Sequence, residues 1–433
     1  MSLNLYTKYS LEDGSFLSFD KDFYDVQNYL HQDRLYSIIR SPIVRRNYHI
    51  YLLHEDETIK KEITEYVLST GNIEKNGESG QRRSTTLTFA NILVYKQAFD
   101  DYKTYGQFSK NKEVLWNPLR AFDDFENNAK IKIVTEIKIG EIKYEFDEGI
   151  FVIFDPQLSN YSGNNSLTLQ LYDKFSLLDG TIDGKGELDY EVPVNTPIYE
   201  AIRQLLRLPK NNRGEPFDVK EIIFPIKYMN ELLAYTIKKT SDNSIGELIK
   251  EMALSISCDV GYNVNGNLEI TDSLEDMDYH YRHVAWEFKD SEWQNPSINI
   301  KRSQIKNKVI VVGANINGYL CKGIAENTNP NSLYNIYGSF GIKSVKISDN
   351  LIPSNKMCED RARYELKKYM KNYITIDFQS IWLPHLEPGN IVRWSNSDLN
   401  INNEDFIVNS ISLPLNGKDF MHINISNLKE ISY

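Results

Sequence analysis

The sequence predicts an α+β chain that is mainly β, with two β-barrel or β-sandwich domains separated by a small α+β domain. Three observations carry that expectation. Apolar and polar residues alternate over most of Arg34–Leu178, the spacing of a strand with one buried face; the spacing turns helical after Val194; and alternation returns from Ser297. The domains expected are 1–190, with a loop-rich insertion near 95–128, then 191–295 with helices and a hairpin, and 296–433 with one helix.

In the opening domain Ile131, Ile133, Ile137 and Ile139 share one strand face, and Leu167, Leu169 and Leu171 repeat the device after the turn-rich stretch Ser159–Asn165. Further strands are expected at Tyr48–Leu53, Thr86–Ile92 and Ile142–Phe154. The insertion, Tyr95–Asn128, is aromatic and polar and is expected at the surface. In the middle domain Thr196 before Pro197 reads as an N-cap and first-turn pair, and Ile198, Ala201, Ile202, Leu205 and Leu206 recur at helical spacing until Pro209. A capping box, Ser244-Ile245-Gly246-Glu247, opens a second helix that buries Leu248, Ile249, Met252, Ala253 and Ile256. A hairpin turning at Asn265-Gly266 follows.

The closing domain begins with the alternating Ile298 and Ile300 and the β-branched run Lys308–Val312. One helix, Ser354–Lys371, carries the apolar stripe Cys358, Ala362, Leu366, Tyr369 and Met370, with Lys367, Lys368 and Lys371 near its negative end. Strands are then expected at Ile374–Ile381, Ile391–Trp394, Phe406–Leu413 and Met421–Ile425, with turns at Glu387-Pro388-Gly389 and Asn416-Gly417.

Composition excludes several classes. With 41% hydrophobic, 12% aromatic and 25% charged residues, the 433-residue chain is neither disordered nor collagen-like. Its longest apolar run, Ile150–Phe154, falls far short of the roughly 20 residues that cross a bilayer, so no stable membrane insertion is expected. The opening MSLNLYTKYSLEDGS has neither a basic start nor a long apolar stretch, which predicts no leader and folding in a cytosol. Cys258, Cys321 and Cys358 lack CxxC spacing and are expected reduced. A net charge of -11 argues against wrapping a phosphate backbone. That charge is uneven: residues 296–433 hold 16 basic and 12 acidic side chains, the remainder 33 and 48.

Chemistry-bearing patterns are sparse. His280 and His283 with Cys258 lack the further ligands of a closed metal site. Gly180–Gly186 matches no phosphate loop, sits between strands without a helix behind it, and reads as a turn. No GxSxG elbow occurs. The acidic pairs Asp123-Asp124, Glu359-Asp360 and Glu404-Asp405 could flank a glycosidic bond, but 60 acidic residues produce such pairs by chance. Tyr279, Tyr281 and Trp286 could stack on sugars or simply pack. Arg45-Arg46 and Arg82-Arg83 are expected as inter-strand or inter-subunit ion-pair partners.

The order of β domain, helix with hairpin, and second β domain resembles the baseplate or tail hub proteins of long-tailed phages. The residues that carry the resemblance are Arg361-Ala-Arg-Tyr-Glu-Leu-Lys-Lys-Tyr369 leading into Ile374–Ile381, then Pro384-His-Leu-Glu-Pro-Gly389-Asn-Ile-Val392, and the closing Phe406–Leu415. Ile245–Thr271, with Cys258-Asp-Val-Gly-Tyr262 and Asn265-Gly266-Asn-Leu-Glu-Ile270, is similar to the family's middle helix and hairpin. The resemblance implies two tail-tube-like barrels per chain and a homotrimer whose six quasi-equivalent barrels ring a central channel, matching a six-fold tail tube to a three-fold tip or spike. It further implies a virion location, a tail tube or distal tail protein on one face, and a tip, spike or lysin-type protein on the other. DNA would pass the lumen without specific binding, and no catalytic residue, cofactor or metal is implied. The alternatives are a tail-tip host-attachment module whose aromatic loops bind cell-wall glycan, and a carbohydrate-active enzyme.

Overall fold

The structure, a computed structural model, describes residues 7–10, 16–18, 36–41, 44–78, 80–90, 130–140, 142–161, 164–185, 189–210, 214–272, 284–300, 302–371, 374–399 and 401–427. The expected insertion at 95–128 lies outside them. The opening part contributes β1 (Thr7–Ser10), β2 (Phe16–Ser18), β3 (Arg45–Leu53), β4 (Ile59–Glu62), β5 (Val67–Thr70), β6 (Asn72–Asn76), β7 (Arg83–Ala90), β8 (Lys130–Ile139), β9 (Ile142–Tyr161) and β10 (Asn164–Asp173). The middle part follows with β11 (Tyr190–Val192), α1 (Ile198–Leu206), β12 (Ile237–Lys239), α2 (Ile245–Ser255), β13 (Cys258–Tyr262) and β14 (Leu268–Asp272). The closing part holds β15 (Val284–Glu287), β16 (Trp293–Ile300), β17 (Lys308–Ile316), β18 (Tyr319–Glu326), β19 (Ser344–Ser348), α3 (Asn355–Lys371), β20 (Ile374–Ser380), β21 (Ile391–Asn396), β22 (Ile401–Pro414) and β23 (Met421–Asn427). The chain is mainly β, as the alternation predicts.

The opening and closing strands join in one 16-stranded sheet whose path is β16-β20-β23-β22-β6-β7-β10-β9-β8-β3-β4. That path contains the same pattern twice. In β16-β20-β23-β22 and again in β6-β7-β10-β9, a first strand pairs with a second, the second with the fourth, and the fourth with the third, all antiparallel. Each third strand is long and also forms a hairpin with the strand before it, β22 with β21 and β9 with β8. The side chains follow the same equivalence. Leu167, Leu169 and Leu171 on β10 match Met421, Ile423 and Ile425 on β23, and Ile131 and Ile133 on β8 match Val392 and Trp394 on β21; all ten enter one continuous core. Apolar alternation put these residues on inward faces, and those faces are buried together in that core.

Strand β9 runs past the expected end at Phe154. Asp155-Pro156 looks like a stop, but the extra residue is absorbed as a bulge in the β9·β10 ladder, with Asp155 at φ 38, and pairing resumes to Tyr161. A counterpart irregularity lies between Val408 and Ser410 in β22·β23.

The middle part has its own core, in which α1 and α2 pack over β13 and β14. The Ser244 capping box forms as the sequence predicts. Thr196 does not cap α1: its hydroxyl donates to the Pro193 carbonyl at 2.7 Å, and Pro197 occupies the N-cap position. Residues 302–371 form a further unit between β16 and β20, with a three-stranded sheet ordered β18-β17-β19 and α3 packed on one face. Alternation in Lys308–Val312 predicts a strand but not the sheet it joins, and here it joins a separate one. Helix α3 comes so close that a Cβ on Gly323 would sit 2.2 Å from the Cys358 carbonyl carbon.

Candidate functional site

The element that unites the molecule is the pairing of β22 with β6, Ser410 opposite Asn76 through Pro414 opposite Asn72. Within it the pair Leu413 and Ile73 is fully buried, and Ser412 hydrogen-bonds the two residues that flank Ile73, donating to Glu74 Oε1 at 2.6 Å and accepting from Asn72 Nδ2 at 2.9 Å.

Directly behind this seam lies a buried ionic cluster. Alternation along β6 turns Ile73 and Lys75 to the same inward face. The Lys75 ammonium meets Glu148 of β9 at 2.7 Å and Glu387 at 2.9 Å, with side-chain exposures of 1% for Lys75 and 0% for Glu148. Thr135 of β8 donates to Glu148 at 2.7 Å. Arg83 of β7 donates to Glu387 at 2.6 Å and to the Tyr262 carbonyl of β13 at 3.0 Å, so a single guanidinium touches the opening, middle and closing parts. Burial pulls Lys75 down, but the carboxylates of Glu148 and Glu387 outweigh it and hold the ammonium above its ordinary range. Burial pushes Glu148 up despite Lys75. For Glu387 burial is outweighed by Arg83 and Lys75, which hold it low.

Neighbouring Asp173 accepts the amides of Arg82 at 2.6 Å, Arg83 at 2.9 Å and Phe175 at 3.0 Å. Burial nevertheless pushes its carboxyl up to about 6. Two more polar joints fix the units to each other. Glu57, at the tip of the β3–β4 hairpin, pairs with Lys130 at 2.6 Å, Lys174 at 2.7 Å and Lys220, while Lys174 also meets Asp218 at 2.8 Å. On α3, Arg361 donates to the Leu254 carbonyl at 2.6 Å and Tyr364 to Asp259 at 2.8 Å, anchoring the inserted unit to the middle part.

The residues singled out from the sequence are not brought together. Arg363 spans to Glu359 at 4.0 Å and Asp360 at 3.8 Å on the surface of α3, and Asp405 forms a two-pronged pair with Arg393 of the neighbouring strand at 2.7 and 3.1 Å. Asp123, Asp124, Tyr279, His280, Tyr281 and His283 lie outside the described residues. Cys258 is buried, and no group of three metal-ligating side chains occurs among the described residues. Trp286 is buried rather than presented to a glycan: Arg40 lies 4.5 Å over its ring, and its indole N–H donates to Glu292 at 3.1 Å. Of the arginine pairs, Arg83 becomes an ion-pair partner within the chain, and Arg46 donates to the Gly417 carbonyl at 3.1 Å.

The described part of this turn, 180–185, does meet a helix, contrary to expectation. The first amides of α2, Ile245 and Gly246, donate to the carbonyls of Gly184 and Leu178 at 3.0 and 2.7 Å. Those donors are therefore spent on protein carbonyls rather than offered to a phosphate.

The buried cluster escaped the sequence because the carboxylate partners are 73 to 312 residues distant along the chain. One signal was legible: Tyr144, Phe146 and Glu148 alternate inward on β9, placing a charge at a core position.

The same architecture recurs in solved structures. The 43 kDa tail protein of prophage MuSo2 from Shewanella oneidensis aligns over 89% of this chain and 99% of its own, with TM-score 0.53 at 11% identity. The chain has the fold of phage tail proteins. A tail protein from Neisseria meningitidis MC58 aligns over 88% of this chain and 97% of its own, with TM-score 0.52 and 11% identity. No protein-family model matches the sequence. No curated protein matches it either. The tail-protein fold is thus carried by strand order and core, not by sequence identity, and the resemblance read from 361–415 lies in its helix, turn and closing strands.

Proposed function

We propose that the chain is a structural tail component of a phage or phage-derived particle, a hub that joins the six-fold tail tube to a three-fold tip or spike. The observation that supports this most is the repeated four-strand pattern within one continuous sheet. Two equivalent modules per chain, in three copies, make six positions around a circle, the number a six-fold tube presents. The paired charges at Lys75, Arg83, Glu148 and Glu387 fit such a part: they bond to one another across the seam and fix how the modules are oriented. The excess of acidic residues suits a lumen that passes DNA without retaining it, because like charge repels phosphate. Its neighbours would be a tail tube or distal tail protein on one face and a tip, spike or lysin-type protein on the other, in a virion assembled in the host cytoplasm.

Native mass spectrometry of the purified chain tests the reading. A mass of three chains is expected, with ring-shaped particles by electron microscopy. A monomer at every concentration that also fails to bind tail-tube protein overturns it.

A further inference from the structure

The main-chain groups along an unpaired strand edge complement those of another strand, so an open edge is a ready contact. Here one edge contact is made within the chain, where Ser412, Leu413 and Pro414 of β22 face Glu74, Ile73 and Asn72 of β6. In the repeated pattern β9 is the counterpart of β22, and β16 is the counterpart of β6.

Ladder partners set the correspondence residue by residue. Ile407 faces Ser426 and Ser412 faces His422, just as Val152 faces Tyr172 and Gln157 faces Thr168. Gln157, Leu158 and Ser159 therefore stand where Ser412, Leu413 and Pro414 stand. On the other side, Ser426 faces Thr375 and Thr375 faces Asn299, just as Tyr172 faces Ser84 and Ser84 faces Glu74. Asn299, Ile298 and Ser297 therefore stand where Glu74, Ile73 and Asn72 stand. Among the described residues, 157–159 pair only with β10 and 297–299 only with β20. Among the described residues, no strand pairs with the edge that each counterpart uses in the internal seam.

We propose that these edges are the two halves of one contact between copies of this chain: β9 of one copy adds antiparallel to β16 of the next, Gln157 opposite Asn299, Leu158 opposite Ile298 and Ser159 opposite Ser297. The inference rests on the ring reading above and names the seam that closes it. A second copy is the fitting occupant because the two stretches repeat residue types of the internal seam: a leucine at 158 and an isoleucine at 298 stand at the register positions of Leu413 and Ile73, and Ile298 is half-buried between exposed Ser297 and Asn299. Pro156 and Pro296, which lack an N–H, bound the two stretches and confine the added ladder to three pairs. Because the edges belong to different repeats, the contact is head-to-tail, the kind that generates rings.

The test is disulfide trapping in the full chain carrying Gln157→Cys and Asn299→Cys, with the native Cys258, Cys321 and Cys358 left in place because they are buried. Mild oxidation is expected to give covalent dimer and trimer on a non-reducing gel, with a 157–299 linked peptide by mass spectrometry and no ladder from either single variant. The offset pair Gln157→Cys with Ser297→Cys places its Cα atoms beyond the roughly 7 Å limit for a bridge and is expected to link at least ~10-fold more slowly. Equal rates for the two pairs overturn the register. A native trimer that does not link through 157 and 299 overturns the strand pairing while the ring stands. A chain that stays monomeric and unlinked overturns both.

Discussion

Replacing Lys75 by methionine removes the only ammonium that meets both Glu148 and Glu387 in the described structure, and leaves Glu148 buried with Thr135 as its remaining donor. Breaking one side of a buried pair costs ~3–5 kcal/mol when the partner stays charged. Glu148 has a cheaper route, since it can take up a proton. From an ordinary glutamate value near 4.3, protonation costs about 3.7 kcal/mol at pH 7 and about 1.6 kcal/mol at pH 5.5. Glu387 keeps Arg83 at 2.6 Å and has no comparable need. The sign follows: without Lys75 the folded-state value of Glu148 rises further above its unfolded one, so its contribution to stability is present at low pH and lost as pH rises through the folded value. Lys75→Met should therefore lose ~3–4 kcal/mol at pH 7 and about 2 kcal/mol less at pH 5.5. Denaturant titration at both pH values, followed by fluorescence of the buried Trp286, Trp382 and Trp394 in the shared core, measures this. Adding Glu148→Leu should recover at least ~2 kcal/mol at pH 7, because an apolar pair tolerates the site. A loss under ~1 kcal/mol, or one equal at both pH values, would refute the account of the cluster.

Two further outcomes are expected. Gly389 has φ 90 and its amide donates to the Val408 carbonyl at 2.7 Å, so Gly389→Val should cost ~1–3 kcal/mol, lower the thermal midpoint and impair assembly; a wild-type midpoint would show that the turn does not need the left-handed backbone. Gly323→Ala forces a methyl into the Cys358–Glu359 backbone and should loosen α3 selectively; hydrogen exchange should accelerate in 355–371 while β22 and β23 stay protected, and uniform protection would contradict the close packing.

By itself, the sequence determined the local elements with strong periodicity or a chemical stop signal. The Ser244–Glu247 box, the helix at 355–371, the Asn265-Gly266 hairpin and the inward stripes of β8 and β10 each follow from interactions within a few residues. Asp155-Pro156 misled because a bulge and a turn have the same local composition, and only the partner strand decides between them. Glu148 was legible as a charge at an inward position of β9, but its pairing with Lys75 spans 73 residues and depends on which faces meet. Tertiary structure alone decided that β22 meets β6, that Lys308–Val312 joins a separate sheet, and which strands of the opening and closing parts correspond. The physical reason is that main-chain hydrogen bonding is the same for every residue except proline. Strand partners are therefore chosen by where whole apolar faces can be buried together, and no short window of sequence holds that information.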